Sequence, residues 1–394
     1  MKILMLLISY DFPTDIRVEK EARSLLAAGH TVTLVCENRK NRLPRETWRG
    51  IDIFRLKPQP TWWRQLNTAA LFVTLRNVIW ERQIAQIIAS EQPDALHVHD
   101  LPFVGPGLRL AHCFKLPLVA DMHENFPAWL EFRQGLTTNL LEKLAFSPTR
   151  FAAYERRVLP RCDAVIAVVE EAAERIAGLG VPAEKITVVG NTEDVSAVNP
   201  VAEPVDLPPS ALTLLYVGGL GPDRGLETAI SAMSFIRRHV PSAQLVIVGD
   251  GISRPALEQQ AQALDLAQAV RFEGHKPFDQ VHSYIQAGDV CLVPHLASPE
   301  INTTMPHKLF QYMVMKKPVL VSSAKPLARV VSQTNAGLIF DSGRPESFAE
   351  AALTLQDEDL RHQLGENGHQ AVLRQYNWQV DGGRLVDLYQ RLVP

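Results

Sequence analysis

The chain has 394 residues, of which 46% are hydrophobic and 21% charged, with a formal net charge of −3. That balance fits a globular protein rather than a disordered one and supplies no basic footprint for nucleic acid. The length exceeds what one ordinary core serves, so two domains are expected.

The chain opens with "MKILMLLISYDFP", one lysine and a short apolar run without a small-residue cleavage site, with Asp11 and Pro13 following at once. It reads as a buried first strand rather than a signal peptide. Further short apolar runs follow, separated by helical patterns: "TVTLVC" (31–36), "IDIFRL" (51–56), "DALHVHD" (94–100), "PLVADMH" (117–123), "AVIAVV" (164–169) and "KITVVGN" (185–191). Arg76 interrupts the most apolar helical stretch, "AALFVTLRNVIW", so no run is long enough to span a bilayer. The four cysteines, Cys36, Cys113, Cys162 and Cys291, lie far apart in apolar stretches with no CxxC pair, and read as reduced core residues of a cytosolic protein.

The proline-rich "VSAVNPVAEPVDLPPSA" (195–211) breaks the pattern and reads as a linker. A second series of runs follows: "LTLLYVG" (212–218), "AQLVIVGDG" (243–251), "AVRFEGH" (269–275), "VCLVP" (290–294), "PVLVSS" (318–323) and "GLIF" (337–340). Strands alternating with helices imply parallel sheets covered on both faces. The expected architecture is α/β: two doubly wound, Rossmann-like domains facing each other across a cleft, with ligand at the carboxyl ends of the strands. The domains are expected at 1–196 and 197–375, with the amphipathic helix at 376–394 packing back on the first.

Three stretches carry polar side chains to strand ends. In "LLYVGGLGPDRGLETAI" a strand ends at Gly218, a glycine-rich turn includes Gly219, and a helix begins near Gly225. Glycines there let backbone N–H groups approach a phosphate, and Arg224 adds a charge-assisted donor. A tight turn with a solvated arginine is the plainer reading, and the third glycine of a dinucleotide fingerprint is replaced by Arg224. In "VIVGDG" (246–251) Asp250 reads as a turn residue. In "SPEINTTMPHKLFQYM" a polar loop with Asn302, Thr303 and Thr304 leads to Pro306 at a helix start, with Lys308 and Gln311 three apart on one face. A sugar diphosphate needs neutralised charge, backbone donors and polar partners for a ribose, and this loop offers all three. In the first half, "VADMHENFPAW" ends a strand near His123 and Glu124, groups that can orient hydroxyls or assist proton transfer. His97 and His99 share one strand face, which also suits a metal, but no third ligand stands at fitting spacing; Asp100 is the cleft residue expected there. Arg17, near a helix start, either reaches a ligand or pairs with Asp15 or Glu21. Asp11, after the first strand, joins the expected first-domain site.

Taken together, "DIRVEKEARSLLAAGHTVTLV", "PDALHVHD", "DMHE", "YVGGLGPDRGLE", "LVIVGDG", "MPHKLFQYMVMKKPV" and the aromatic-rich last helix resemble, in order and spacing over essentially the whole chain, the retaining, nucleotide-sugar-dependent glycosyltransferases of family 4 (glycosyl transferases group 1). The resemblance implies a GT-B fold with an acceptor-side first domain and a donor-binding second one. It implies that His123 lies near the reacting sugar, that Arg224 contacts the donor diphosphate, and that Lys308 is the lysine of the variant P-x-K-x-x-E-Y-M motif. Two positions depart from the family: Gln311 stands for an acidic residue that contacts the donor ribose, and Gly219 for an arginine that contacts the diphosphate. Glu300 falls near the family's first motif glutamate, at a longer spacing.

The implied reaction moves a sugar from a nucleoside diphosphate to an acceptor hydroxyl with retention at the anomeric carbon. His123, Arg224 and Lys308 are the expected catalytic residues. Gly218, Gly219, Asn302, Thr303, Thr304 and Gln311 join Arg224 and Lys308 at the donor; Asp11, Arg17, Asp100 and Glu124 stand on the acceptor side. No cofactor or metal is expected, since cations and amides stabilise the departing diphosphate. The expected partners are a nucleotide sugar and a glycan or lipid-linked acceptor, with no nucleic acid. Trp62, Trp63, Phe72 and Trp80 with Arg64, Arg76 and Arg82 in 60–83 suit a lipid headgroup surface, so the expected location is cytoplasmic, with peripheral contact at the inner face of the membrane. The alternatives are a non-catalytic sugar-nucleotide binder and a GT-B sugar-nucleotide epimerase.

Overall fold

Each apolar run expected to form a strand does so, and the strands fall into two separate sheets. The structure, a computed structural model, describes the chain apart from residues 9–10, 14, 58–59, 138, 140–142, 144, 199–203 and 393–394, and gives the backbone alone at 62, 64–69, 136, 197 and 278–279. It divides into two units, Met1–Gly190 with Asp381–Pro394, and Asn191–Val380.

The first unit holds β1 (Lys2–Leu7), β2 (Thr31–Cys36), β3 (Arg45–Trp48), β4 (Ile51–Arg55), β5 (Ala95–His99), β6 (Leu118–Met122), β7 (Ala164–Ala167) and β8 (Ile186–Val188), in the order β3-β4-β2-β1-β5-β6-β7-β8. Helices on both faces bury β1 almost completely, with Ile3, Leu4, Met5 and Leu6 at 0% exposure. Full burial of such a side chain stabilises by about 1.5–3 kcal/mol, which is why these strands read as unbroken apolar runs. The exception is β3, "RETW", which pairs antiparallel with β4 at the edge of the sheet. Its side chains are exposed or half-buried, so no hydrophobic signal announces it. The order reverses between β1 and β5, the switch point at which open α/β sheets bind ligands. Arg17 follows β1 and Asp100 follows β5, so both sit at that point.

The second unit is a six-stranded parallel sheet, β11-β10-β9-β12-β13-β14, built from β9 (Thr213–Val217), β10 (Gln244–Val248), β11 (Val270–Gly274), β12 (Val290–Val293), β13 (Val319–Ser322) and β14 (Gly337–Phe340). Leu214, Tyr216, Ile230, Met233, Leu245, Ile247 and Leu292 form its core, and Phe340 meets Phe348 edge-on at 4.9 Å. Here the order reverses between β9 and β12, which carries the glycine-rich turn and the loop before Lys308 to the same edge.

That edge is closely packed. Gly249, just past β10, has φ +141, and a Cβ there would lie 2.0 Å from the Gly218 carbonyl oxygen. Gly249→Ala is therefore expected to destabilise the protein by about 1–3 kcal/mol, from backbone strain and the clash together. Denaturant unfolding checks it; a midpoint equal to the parent's shows that the Gly218 turn moves aside freely.

Two expectations need correction. All four cysteines are free thiols, but Cys113 is exposed near the end of helix Leu101–Phe114 rather than in the core. Among the aromatic residues of 60–83, Trp80 is 5% exposed and Phe72 packs on Phe146 at 4.3 Å, so both serve the fold. Trp63 is 39% exposed, while the side chains of Trp62 and Arg64 lie outside the described residues. Among the described residues, no helix is long and apolar enough to cross a membrane.

Candidate functional site

In the first unit, register does most of the assembly. Strand β5 pairs with β6 so that His99 lies opposite Asp121, and period-two alternation puts His97, His99, Asp121 and the following His123 on one side. Asp121 is the hub. Its Oδ2 accepts from His123 Nε2 at 2.7 Å and lies 3.2 Å from His99 Nδ1, while its Oδ1 accepts from Arg17 Nη2 at 3.1 Å. Arg17 also pairs with Glu21 through Nε at 3.0 Å and donates to the Val189 carbonyl at 3.0 Å. Asp15 caps this helix by accepting from the backbone N–H groups of Arg17 and Val18. Of the two readings of Arg17, the geometry gives the pairing with Glu21. His97 Nδ1 meets Tyr389 of the last helix at 2.8 Å.

Burial opposes the charge on His123, yet the carboxylates of Asp121 and Asp100 prevail and carry its pKa up to about 10. Asp100 stands 3.5 Å from His123 Nδ1 on the opposite side of the ring. Burial likewise works against Asp121, but Arg17 and His123 hold it well below the ordinary carboxylate range. Burial and the neighbouring His97 drive His99 down to about 3, and burial with Asp121 lifts Glu21 to about 8. At neutral pH His123 is thus an imidazolium, 18% exposed at its side chain, backed by an otherwise buried ion network.

The same geometry bears on metal binding. His97 and His99 lacked a third ligand in the sequence; the structure supplies Glu21 and Asp121, with ligand-type atoms of all four within 4.8 Å of one another. It supplies a cation as well. The Arg17 guanidinium lies 3.0 Å from Glu21 and 3.1 Å from Asp121, so a dication among these groups would meet a positive charge already paired there. The donor set fits an arginine better than a metal.

The other first-unit residues divide. Asp100 and Glu124 line one cavity, whereas Asp11 is buried with its carboxylate 3.5 Å from Arg55 Nε. The sequence reading missed Asp121. Its signal was an aspartate in the middle of an otherwise apolar strand.

In the second unit, the turn after β9 and the helix Lys308–Val314 place two cations together. Lys308 Nζ lies 3.7 Å from the centre of the Tyr216 ring, and a Cβ on Gly218 would come within 2.5 Å of it. Gly218, at φ +139, thus leaves room for the ammonium. The Tyr216 hydroxyl donates to the Gly219 carbonyl at 2.8 Å, and Val217 N–H donates to the Tyr312 hydroxyl at 3.0 Å, which fixes both walls. Arg224 ends a 3₁₀ turn, Pro222–Arg224, with a side chain 37% exposed and 3.4 Å from Asp223. Burial lowers Lys308 well below the ordinary lysine range, and the repelling charge of Arg224 lowers it further. Burial with Asp223 raises Glu300 to about 7, opposed by Arg224. Burial, Lys308 and Arg224 together keep His295 neutral.

The remaining expected donor residues serve mixed roles. Asn302 Oδ1 accepts from Lys325 N–H at 2.9 Å, and Thr303 Oγ1 donates to the Pro299 and Glu300 carbonyls, so both shape the loop. Thr304 is half-buried in extended backbone. The helix carrying Lys308 and Gln311 is only seven residues long, and Leu309 N–H bonds back to Pro306. Asp250 accepts from Gly251 N–H at 2.8 Å and Arg254 at 3.1 Å, the expected turn role. Gly218 and Gly219 also line a cavity of about 420 Å³ over the ends of β9 and β10, closed by His275 and Lys276.

Residues 15–192 match the family model described as a glycosyl transferase 4-like domain, and residues 202–371 match that of the glycosyl transferases group 1. A curated relative, the D-inositol 3-phosphate glycosyltransferase of Corynebacterium urealyticum, is 27% identical over 58% of this chain and 55% of its own length. The chain spans about half the length of the first curated relatives that it matches. Among solved structures, sucrose-phosphate synthase from Thermosynechococcus elongatus superposes with a TM-score of 0.78 at 21% identity, covering 99% of this chain and 98% of that one. Anabaena HepE in complex with UDP follows with a TM-score of 0.71 at 16% identity, covering 99% and 100%. At these identities the structural likeness is one of fold.

Proposed function

Because the chain belongs to the GT-B glycosyltransferases of group 1 type, we propose that it moves a sugar from a nucleoside-diphosphate donor to an acceptor hydroxyl, with retention at the anomeric carbon. The observation that carries this reading is the convergence of Arg224 and Lys308. Lys308 Nζ sits over the Tyr216 ring beside Gly218, and Arg224 ends the turn that follows that glycine, so a diphosphate bound there would meet both donors and favour the charged form of the buried lysine. The cavity over Gly218, Gly219 and Gly249 is suited to the remainder of a nucleotide, and HepE, of the same fold, was solved with UDP. In this reading Gln311 bonds a ribose hydroxyl in place of the family's acidic residue.

On the first unit, the His123 imidazolium, held between Asp121 and Asp100 with 18% of its side chain exposed, orients the transferred sugar. The leaving phosphate takes the acceptor's proton, and Arg224 and Lys308 stabilise the charge that develops on the diphosphate. The setting proposed is the cytoplasm, in surface polysaccharide, glycolipid or other glycan biosynthesis. A panel of nucleotide sugars, assayed for binding and for slow donor hydrolysis, tests the reading. Nucleotide binding without any turnover would favour the non-catalytic alternative, for which Gln311 and Gly219 are the arguments.

On this reading no metal is needed, since Arg224 and Lys308 would neutralise the departing diphosphate. Donor hydrolysis is expected to proceed in excess chelator at a rate within about twofold of the untreated enzyme. Loss of turnover that magnesium or manganese restores would overturn this.

A further inference from the structure

The last helix, Trp378–Leu392, belongs to the first unit from Asp381 onward and carries a hydroxyl into the ion network. Tyr389 is fully buried, with its oxygen 2.8 Å from His97 Nδ1 and its ring stacked on the imidazole at 6.1 Å. The other ring nitrogen of His97, Nε2, faces two carboxylates, Glu21 Oε2 and Asp121 Oδ2, each at 3.8 Å. His97 stacks in turn on His99 at 4.5 Å. Burial keeps both Tyr389 and His97 out of reach of a substrate, so neither has a direct part in the transfer proposed above.

A neutral imidazole has one N–H and one lone pair. Burial holds His97 neutral against the pull of Asp121, which itself stays ionised whatever the state of Glu21. A lone pair at Nε2 would face that negative charge, so the proton sits on Nε2 and Nδ1 is the acceptor. Tyr389 is therefore the donor of the bond to Nδ1. Burial, with the charges of Glu21 and Asp121, lifts the phenol well above its ordinary range, so it keeps the proton that it donates.

We propose that Tyr389 and His97 are positioning residues for His123: the tyrosine hydroxyl fixes the imidazole with its Nε2–H towards Asp121, the carboxylate that bonds His123 Nε2 at 2.7 Å. The proposal rests on the glycosyltransferase reading above, which gives His123 its task, and makes the last helix part of the reaction centre. The O–H and N–H dipoles point the same way, so each strengthens the next. A neutral donor supports the carboxylate without setting another positive charge beside the His123 imidazolium. The remaining charges around Asp121 do not depend on the tyrosine hydroxyl. Arg17 holds Asp121 at 3.1 Å, itself favoured by Glu21 and by Asp381 of the last helix, and Asp100 stands on the far side of His123.

The test uses the full chain without substrate. Multiple-bond proton–nitrogen NMR of the histidine rings reads each tautomer and follows His123 through pH. In the parent, His97 is expected as the Nε2–H tautomer at neutral pH. Tyr389→Phe keeps the ring and removes the hydroxyl; it should shift the His97 Nδ1 resonance and lower the His123 inflection by about half a pH unit or more. His97→Phe should lower that inflection by about one unit or more. Because the tyrosine acts only through the histidine, adding Tyr389→Phe to His97→Phe should lower it no further. A role in packing alone would change stability and leave the inflection in place. A parent His97 with its proton on Nδ1, a His123 inflection unmoved by Tyr389→Phe, or additive shifts in the double variant overturns the proposal. The parent's tautomer is read without any substitution, so it decides the matter even where a variant does not fold. Since no nucleotide sugar is used, absence of transfer from every donor would count against the glycosyltransferase reading and not against this relay.

Discussion

Replacing Lys308 by alanine is expected to weaken nucleoside-diphosphate binding by about 10- to 150-fold, and Arg224→Ala by a similar factor. Each removes a charge-assisted contact worth about 1.5–3 kcal/mol, and about 1.4 kcal/mol is tenfold in affinity. Their effects should not add. Burial and then Arg224 lower the lysine's pKa, so removing Arg224 partly restores the charge on Lys308 and masks part of its own loss, and the double variant should lose more than the sum of the singles. The same coupling sets a pH dependence. A lysine held below its ordinary range must gain a proton to face a diphosphate, so affinity should fall as pH rises, with proton uptake on binding. In Arg224→Ala the fall should move to higher pH. Calorimetry in two buffers of different ionisation enthalpy reads both quantities. Single variants that bind as tightly as the parent, or no proton uptake, would remove these residues from the donor site.

Much of this site could be read in the sequence, for a physical reason. Buried parallel strands must be apolar, so their ends are visible as the points where the apolar runs stop, and ligands bind at those ends. Gly218, Arg224, Asp100 and His123 all follow such a stop. What sequence reasoning lost was whatever depends on register. Asp121 joins the histidine cluster only because β5 and β6 pair with it opposite His99, and no local pattern announces that pairing. Strand β3 was missed because a polar edge strand needs no hydrophobic signal. Cys113 was misplaced because it falls on the solvent side of a largely buried helix, where the pattern of neighbours outweighed its own position. Asn302 and Thr303 were chosen by residue type, and their hydrogen bonds turn out to hold the loop itself.

Asp121→Asn should have the largest effect on stability. Of the carboxylates described above, it leaves Glu21 beside Arg17 and Asp100, at 3.5 Å, beside His123. Removing one partner from a buried charge network costs about 3–5 kcal/mol, because the groups left behind are not rehydrated. The loss should depend on pH in a defined direction. His123's pKa rises to about 10 in the folded protein against about 6.5 unfolded, so its stabilising contribution is complete below about pH 6.5 and is lost as pH climbs towards 10. Asp121, held low, contributes above its unfolded value near 3.9 and loses that contribution as pH falls through its depressed folded value. In the asparagine variant both terms shrink, so the stability deficit should be widest between about pH 5 and pH 6.5. The imidazolium should then titrate several units lower. At saturating donor, where the pH dependence of donor affinity drops out, the transfer rate of the parent should stay nearly flat up to the His123 pKa of about 10, whereas the variant's should fall at lower pH. An NMR titration of His123 beside the two rate profiles separates a charge role from a purely structural one, since loss of folding alone lowers the rate without moving the inflection. If His123 titrates near pH 6.5 in the parent, or at the same pH in both proteins, Asp121 does not hold its charge.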